Sequence, residues 1–379
     1  MHQRRLFVNA VYERRLPVTK LCELFQISRK TGYKWLKRQQ GDEGWAGLAD
    51  KSRRPHSNSR AVSEELVRRL VLLRQKHPTW GARKLAGWLA WREPHWELPA
   101  ASTITELLKR HGLVRDRRVR HRGPPRTQPL AHAEQPNDVW CIDFKGDFRV
   151  GDGTRCYPLT VTDAHTRALL CCRGFENTRG AGVQEALERT RRGFGLPRYL
   201  RGDNGPPFGT SCTMPLSRLG VWLVKIGVRP EYIDPGQPQQ NGRHERMHWT
   251  LKQSTAQPPS STMRAQQRRF DAFRLEYNRE RPHEALGQLP PSLLYYPSPR
   301  EFPSRIVGPD YPDSYAVYTV GKDGRVQWGR RSVLVGTALA GEHVGVVEVD
   351  DGCWDVLFGD FLLARIHADV DLGMRPRPR

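Results

Sequence analysis

The chain has 379 residues, more than one ordinary domain holds, and predicts two to four domains. Lysine and arginine number 62 against 40 acidic residues, a net charge of +22, so the expected partner is a polyanion, of which nucleic acid is the commonest. An anionic membrane would need a long apolar span or an amphipathic anchor, and the sequence carries neither; no apolar run or cleavage site follows the basic N-terminus, so no signal peptide is expected.

Residues 1–41 read as three short helices. Leu6, Ala10 and Val11 give the first an apolar face, and Leu21, Leu24 and Phe25 give one to the second, from Val18 to Phe25. Gln26-Ile27-Ser28 makes a tight connection whose serine can cap the next helix. Arg29 to Gln39 then carries Arg29, Lys30, Lys34, Lys37 and Arg38 around a seam of Tyr33 and Leu36. Helix, short turn and basic helix is the helix-turn-helix plan, whose second helix enters the major groove. The same pattern also suits a three-helix bundle with a solvated basic face. Residues 42–61, with Gly44, Gly47, Pro55 and several serines, read as a linker.

A second helical unit is expected over 62–114. Glu64 to Lys76 has apolar residues at helical spacing, Pro78 breaks it, Gly81 to Trp91 forms the next helix, and Ser102 can cap a third that Gly112 closes. It reads as a second helix-turn-helix or as a helical spacer. Residues 115–136 form a basic Arg/Pro linker; Arg115 to Arg126 holds six arginines, among them Arg117, Arg118 and Arg120. Such a stretch cannot bury apolar area and is expected to lie extended along phosphates.

From residue 137 the pattern changes to strands. Val139 to Val150, Arg155 to Thr162 and Ala168 to Phe175 are β-like runs separated by Gly151-Asp152-Gly153 and Asp163-Ala164-His165. Helices are expected at Ala181 to Arg192, at Met214 to Ile226 and from about Gln240, with strands at Pro197 to Arg201 and Val228 to Ile233. This predicts a mixed α/β core over 137–300, a five-stranded sheet with helices. Residues 301–372 carry short β runs between Asp-Gly and Gly-Asp turns and predict a small all-β barrel; 373–379 is an Arg-Pro tail expected to be disordered. The seven cysteines include no C-x-x-C pair, which predicts reduced cytosolic thiols and a cytoplasmic protein.

Three carboxylates stand out. Asp143 lies within the apolar strand Trp140-Cys141-Ile142-Asp143-Phe144, where a charge is costly unless something pairs it. Asp203 sits just past a strand, between Gly202 and Gly205, and Glu245 one turn inside a helix. Two strand aspartates and a helix glutamate can converge on hard divalent cations, and two such ions suit an in-line phosphoryl displacement.

At these residues the segment 138–290 resembles the catalytic core shared by insertion-sequence transposases and retroviral integrases. Four motifs carry the resemblance. Trp140-x-x-Asp143 is followed by Thr162-Asp163 and Thr166-Arg167; Asp203-Asn204-Gly205-Pro206-Pro207-Phe208 comes next. Gly227-Val228 then leads to Pro235-Gly236-Gln237-Pro238-Gln239-Gln240-Asn241-Gly242-Arg243-His244-Glu245-Arg246, with Lys252 two helical turns beyond Glu245. Last is Tyr277-Asn278-x-x-Arg281-Pro282-His283-x-x-Leu286, which reads as structural, with Arg281 within reach of phosphate. The resemblance implies an RNase H-like fold and a metal-binding triad of Asp143, Asp203 and Glu245 holding two Mg2+ or Mn2+ ions. It also implies strand cleavage by water followed by attack of a DNA 3′-hydroxyl, and recognition of terminal inverted repeats by the helical modules. DNA ends and target are the implied partners, handled by a homodimer or larger assembly. Asn241, Arg243 and Lys252 are candidate DNA contacts beside the triad. Forty-two positions separate Asp203 from Glu245, longer than the family's usual interval, and the excess is placed at Gly209 to Ser217.

Rival readings remain on the same residues. His244-Glu245-Arg246-Met247-His248 fits H-E-x-x-H, the zinc protease motif, though no third ligand declares itself downstream. A non-catalytic helix-turn-helix regulator would share the N-terminal modules, and a general ribonuclease H would share the core. Asp163 and Glu231 are rival carboxylates read as turn or surface residues.

Overall fold

The computed structural model describes all residues except 1, 15, 51–61, 115–132, 211–214, 234–241, 329–330 and 368–379. Arg117, Arg118, Arg120, Asn241, most of the 42–61 linker and the predicted tail therefore lie outside the described residues. The chain divides into two compact units, Met1–Val62 and Ser63–Arg379.

The first unit is helical: α1 His2–Tyr12, α2 Val18–Leu24 and α3 Arg29–Gln40, followed by a 3-10 turn Gly44–Leu48. Ser28 caps α3 as expected, its Oγ accepting from the Thr31 N–H at 3.1 Å. The inward faces differ from the predicted ones. Phe7 and Val8 fill the core where Leu6 was expected, Cys22 replaces Leu24, and Trp35 with Leu36 replaces Tyr33. Leu6, Leu24 and Tyr33 are instead exposed. The apolar stripes are wide enough to allow two phases, and long-range packing onto Phe7, which meets Phe25 and Trp35 edge-on, selects one. Close approach of α3 requires Gly32, where a Cβ would stand 2.8 Å from both Cys22 Sγ and Phe7 Cζ. Gly32→Ala is expected to destabilise this unit by about 1–3 kcal/mol through overpacking. Hydrogen exchange on the full chain would show its amides opening sooner while those of the second unit stay protected; unchanged protection would contradict the packing.

The second unit begins with α4 Glu64–Lys76, α5 Ala82–Arg92 and α6 Ala101–Arg110. Ser63 caps α4, but α6 starts before Ser102, with Ala100 at its N-cap. This bundle docks on the end of the last long helix, α10 Met263–Arg279, and on the segment that follows it. His77 Nδ1 lies 3.0 Å from Glu276 Oε1, Arg83 pairs with Glu284 at 3.0 Å, and Lys84 donates to the Pro282 carbonyl.

The sheet that follows is mixed. β1 Val139–Phe144, β3 Arg155–Asp163 and β4 Leu169–Phe175 run as an antiparallel meander. β5 Tyr199–Gly202 and β6 Arg229–Tyr232 continue parallel to β1, reached through α7 Gly180–Phe194 and α8 Arg218–Lys225. A short β2, Phe148–Arg149, adds a sixth strand to the predicted five. It arises because the Val139–Val150 run is interrupted at Gly146, whose φ of +55° no extended strand adopts. One sheet face buries Trp140, Ile142, Leu159 and Val161 against Leu187, Trp222 and Leu223. The other buries Cys156, Leu169 and Cys172 against α10 and α9 Gly242–Thr255, through Met247, Leu251, Phe270 and Phe273. The six described cysteines are all buried and free.

The C-terminal part is all β, but among the described residues its strands form open sheets and not the predicted closed barrel. β7 Ala316–Thr319, β10 His343–Asp350, β11 Cys353–Phe358 and β12 Phe361–His367 make an open four-stranded sheet in the order β12-β11-β10-β7. β8 Arg325–Trp328 and β9 Arg331–Leu334 form a separate hairpin. Closure is unnecessary because Leu216 and Val221, at and within α8, supply part of this core, packing with Val326, Val344 and Phe358. Leu216 packs into this core and Ser217 caps α8, its Oγ accepting from the Gly220 N–H.

Candidate active site

β1 and β5 set the geometry. They pair in parallel with Cys141 opposite Arg201, so Asp143 lies two residues further along β1 and Asp203 two residues further on, just past the end of β5. A two-residue step returns to the same sheet face, and adjacent strands are about 4.8 Å apart. Gly202 admits Phe208 beneath the turn, since a Cβ there would stand 3.0 Å from Phe208 Cβ. Asp203 accepts the Gly205 N–H at 3.2 Å, which fixes its carboxylate across the loop.

Antiparallel pairing places Thr160 of β3 opposite Asp143, and Thr162 opposite Cys141, on that same face. Helix α9 crosses over them. Its inward side is His244, Met247, His248 and Leu251, the i, i+3, i+4, i+7 spacing of a buried helix stripe. His244 Nε2 and His248 Nε2 both lie 2.7 Å from Thr160 Oγ1, and His244 Nδ1 lies 2.9 Å from Thr162 Oγ1. His248 Nδ1 faces Asp143 Oδ2 at 3.7 Å. Glu245 and Lys252 are exposed on another side of the helix.

The electrostatics are unfavourable to ionised carboxylates. Asp143 is pushed up to about 7, first by burial, then by the charge of Asp203 and further by that of Glu245, against the Phe144 backbone N–H and Lys145, which lower it. Asp203 is raised by burial, partly offset by the Gly205 N–H. Among the described residues no lysine or arginine comes within ion-pair distance of any of the three. His244 and His248 are depressed to about 3 and about 2, chiefly by burial, so both imidazoles are neutral.

The remaining expected residues fall as follows. Arg29, Lys30 and Lys34 are exposed on α3, and Lys30 and Lys34 line one groove with Tyr33 and Lys37. Arg243 lies in the first turn of α9. The rival Glu231 pairs with Arg201 at 2.6 Å, and Asp163, expected in a turn or at the surface, instead ends β3, is buried and accepts from Asn137 N–H, Thr166 N–H and the Thr166 hydroxyl. Asn278 clamps β4 to α10 through two 2.8 Å bonds with the Leu169 backbone. Thr160 escaped the sequence reading, and so did Lys84. Lys84 is lowered to about 8 by burial and by neighbouring Arg281 and Arg246, which marks a cluster of positive charge at the α5–α9–α10 junction. The signal for Thr160 was present in Thr160-Val161-Thr162, two hydroxyls on one strand face, but nothing local says what they meet.

H-E-x-x-H does not form a zinc pair here. Asp143, His244 and His248 bring possible ligand atoms within 4.8 Å of one another, but both nitrogens of His244 are engaged by the two threonines.

Comparison with known proteins is consistent with this arrangement. Residues 133–238 and 226–291 match two models described as integrase core domain. Residues 3–56 match a helix-turn-helix domain and 31–108 a homeodomain-like domain. The chain is 30% identical over 249 residues to the insertion element IS476 uncharacterized 39.2 kDa protein of Xanthomonas euvesicatoria, covering 65% of this chain and 69% of that one. It is 32% identical over 232 residues to the insertion element IS407 uncharacterized 31.7 kDa protein of Burkholderia multivorans, covering 61% and 80%. Among solved structures, a chain of the simian T-cell lymphotropic virus intasome aligns at TM-score 0.38 and 15% identity, over 77% of this chain and 97% of that one. With its integrase core and its helix-turn-helix modules, the chain belongs to the insertion-element transposase family.

Proposed function

We propose that this transposase cuts and joins DNA strands at a site made by Asp143, Asp203 and Glu245, acting on the ends of a mobile element and on its target. The observation that carries the reading is the state of Asp143: a half-buried carboxylate driven up to about 7 by burial and by two other acids, with no lysine or arginine within ion-pair distance among the described residues. Such a cluster is stable as an anion set only with a dication among the oxygens. The donor set, three carboxylates, fits Mg2+ or Mn2+. When bound, two such ions supply Lewis acidity to the attacking and leaving oxygens of an in-line phosphoryl transfer.

The chain's own residues do the rest. β1 and β5 hold the two aspartates in register, and the threonine–histidine contacts pin α9 so that Glu245 stays beside them. Lys252, two turns from Glu245 on the exposed side of α9, and Arg243 meet the DNA backbone near the reacting phosphate, with Asn241 preceding them. The Lys84–Arg246–Arg281 cluster extends this positive surface. Arg29, Lys30 and Lys34 of α3 read the inverted repeats in the major groove, and the arginine-rich segment with Arg117, Arg118 and Arg120 follows phosphates. The domain roles follow: 1–41 and 62–114 recognise DNA, 137–300 catalyses, and the C-terminal sheet contributes DNA or subunit contacts. Two DNA ends must be handled together, so the working form is a dimer or larger, in the cytoplasm. Among the described residues no helix is long and apolar enough to cross a membrane.

The test is a joining assay with the element's terminal DNA and a target duplex, in Mg2+ or Mn2+. Joining of 3′ ends to target supports the proposal; specific DNA binding with neither cleavage nor joining in either ion would leave a regulator instead. Dication binding must also displace the proton that Asp143 holds below about pH 7. Because its pKa is raised, the proton is held through the acid range and lost as pH rises through 7. Apparent ion affinity is therefore expected to rise about tenfold per unit up to pH 7 and then level. Calorimetry in buffers of different ionisation heat should show proton release at pH 6 that fades by pH 8; equal, pH-independent affinity would contradict this.

A further inference from the structure

The hydrogen-bond accounting around Thr160 fixes more than the placement of α9. Thr160 Oγ1 lies 3.2 Å from the Asp143 carbonyl oxygen and 2.7 Å from both histidine Nε2 atoms. A carbonyl only accepts and a hydroxyl has one hydrogen, so Thr160 donates to Asp143. Both imidazoles must then donate Nε2–H to Thr160. With Nε2–H donating, Nδ1 is on each ring the atom left to accept a hydrogen bond or to bind a cation. His244 Nδ1 accepts from the Thr162 hydroxyl at 2.9 Å. Among the described residues, His248 Nδ1 faces the Asp143 carboxylate at 3.7 Å, on a side chain 5% exposed.

An imidazole lone pair and a carboxylate oxygen turned toward each other are two donor atoms converging on one point, the arrangement a dication between them would use. The separation is too long for a hydrogen bond. It is a few tenths of an ångström beyond the ~3.0–3.5 Å that separates two adjacent ligands each about 2.1 Å from one octahedral or tetrahedral ion. We propose that His248 Nδ1 and the Asp143 carboxylate together form a mixed nitrogen–oxygen seat for a first-row transition dication. One metal position then prefers Mn2+, or another ion that accepts imidazole, to Mg2+, which favours oxygen ligands. The histidine half of H-E-x-x-H thus acquires a metal role with one of its imidazoles, while His244 holds the helix. The inference rests on Asp143 being a metal ligand.

Pulsed electron paramagnetic resonance of Mn2+ bound to the full chain tests it. The expected spectrum shows coupling to one imidazole nitrogen, changed by labelling histidine with 15N and absent in His248→Phe. Titration should show Mn2+ binding at least about tenfold tighter than Mg2+ in the wild type, with the preference largely lost in the variant. His248→Gln serves as a second variant if the first does not fold. Mn2+ bound to the wild type without nitrogen coupling overturns the inference, as does coupling that survives removal of His248. Either result leaves the carboxylate reading intact if Asp143→Asn still abolishes Mn2+ binding. Mn2+ that binds wild type and Asp143→Asn equally overturns both, and so does Mn2+ that binds neither.

Discussion

Asp143→Asn is expected to reduce strand joining by at least about 1,000-fold, a rise of roughly 4 kcal/mol in the barrier, while leaving DNA binding by the helical modules unchanged. The same substitution should raise the stability of the metal-free protein. Asp143 sits at about 7 in the folded chain against an ordinary 3.8. A raised pKa means stability that is present below the ordinary value and lost as pH rises through 7. At pH 8 the wild type therefore holds an ionised carboxylate among like charges at a cost, and asparagine removes it. The gain is roughly 1–3 kcal/mol after allowance for partial exposure, read as a higher unfolding midpoint at pH 8 and little change at pH 4. A variant with lost activity and lowered stability at pH 8 would point to simple misfolding. Substantial residual joining would remove Asp143 from the chemistry.

Thr160→Val is expected to be the most damaging substitution in the core that touches no carboxylate. Thr160 is fully buried, and valine matches its shape. What is lost is the acceptor for two buried imidazole N–H groups and the donor to the Asp143 carbonyl. Each stranded donor costs about 1–3 kcal/mol, so the total loss is roughly 2–6 kcal/mol in urea unfolding. Thr160→Ser keeps the hydroxyl and is expected to recover most of this, at the lesser cost of one missing methyl. Joining should fall with the valine variant as well, because α9 carries Glu245. Valine and serine variants of equal stability would show that the hydroxyl does not hold the helix.

Much of the fold could be read locally. Asp143 announced itself as a charge in an apolar strand, and the meander, the two parallel strands and their helices fell close to their expected ranges. Misreadings arose where the deciding contact is distant in sequence. Leu6 and Leu24 fit helical stripes as well as Phe7 and Cys22 do, and only the approach of α3 at Gly32 chooses between them. The closed barrel failed because α8, roughly a hundred residues upstream, fills part of the C-terminal core. H-E-x-x-H gave the right histidines but the wrong partners, since Thr160 and Thr162 lie more than eighty residues away on β3. The alignment of Asp143 with Asp203 also depends on strand register, which no local pattern contains.

Counting the Mn2+ ions held by the DNA-loaded full chain, in parallel with joining, tests the shared site most directly. The wild type should hold two, and Asp143→Asn, Asp203→Asn and Glu245→Gln should each lose at least one and fail to join DNA. Wild-type joining by any of the three would contradict a common centre.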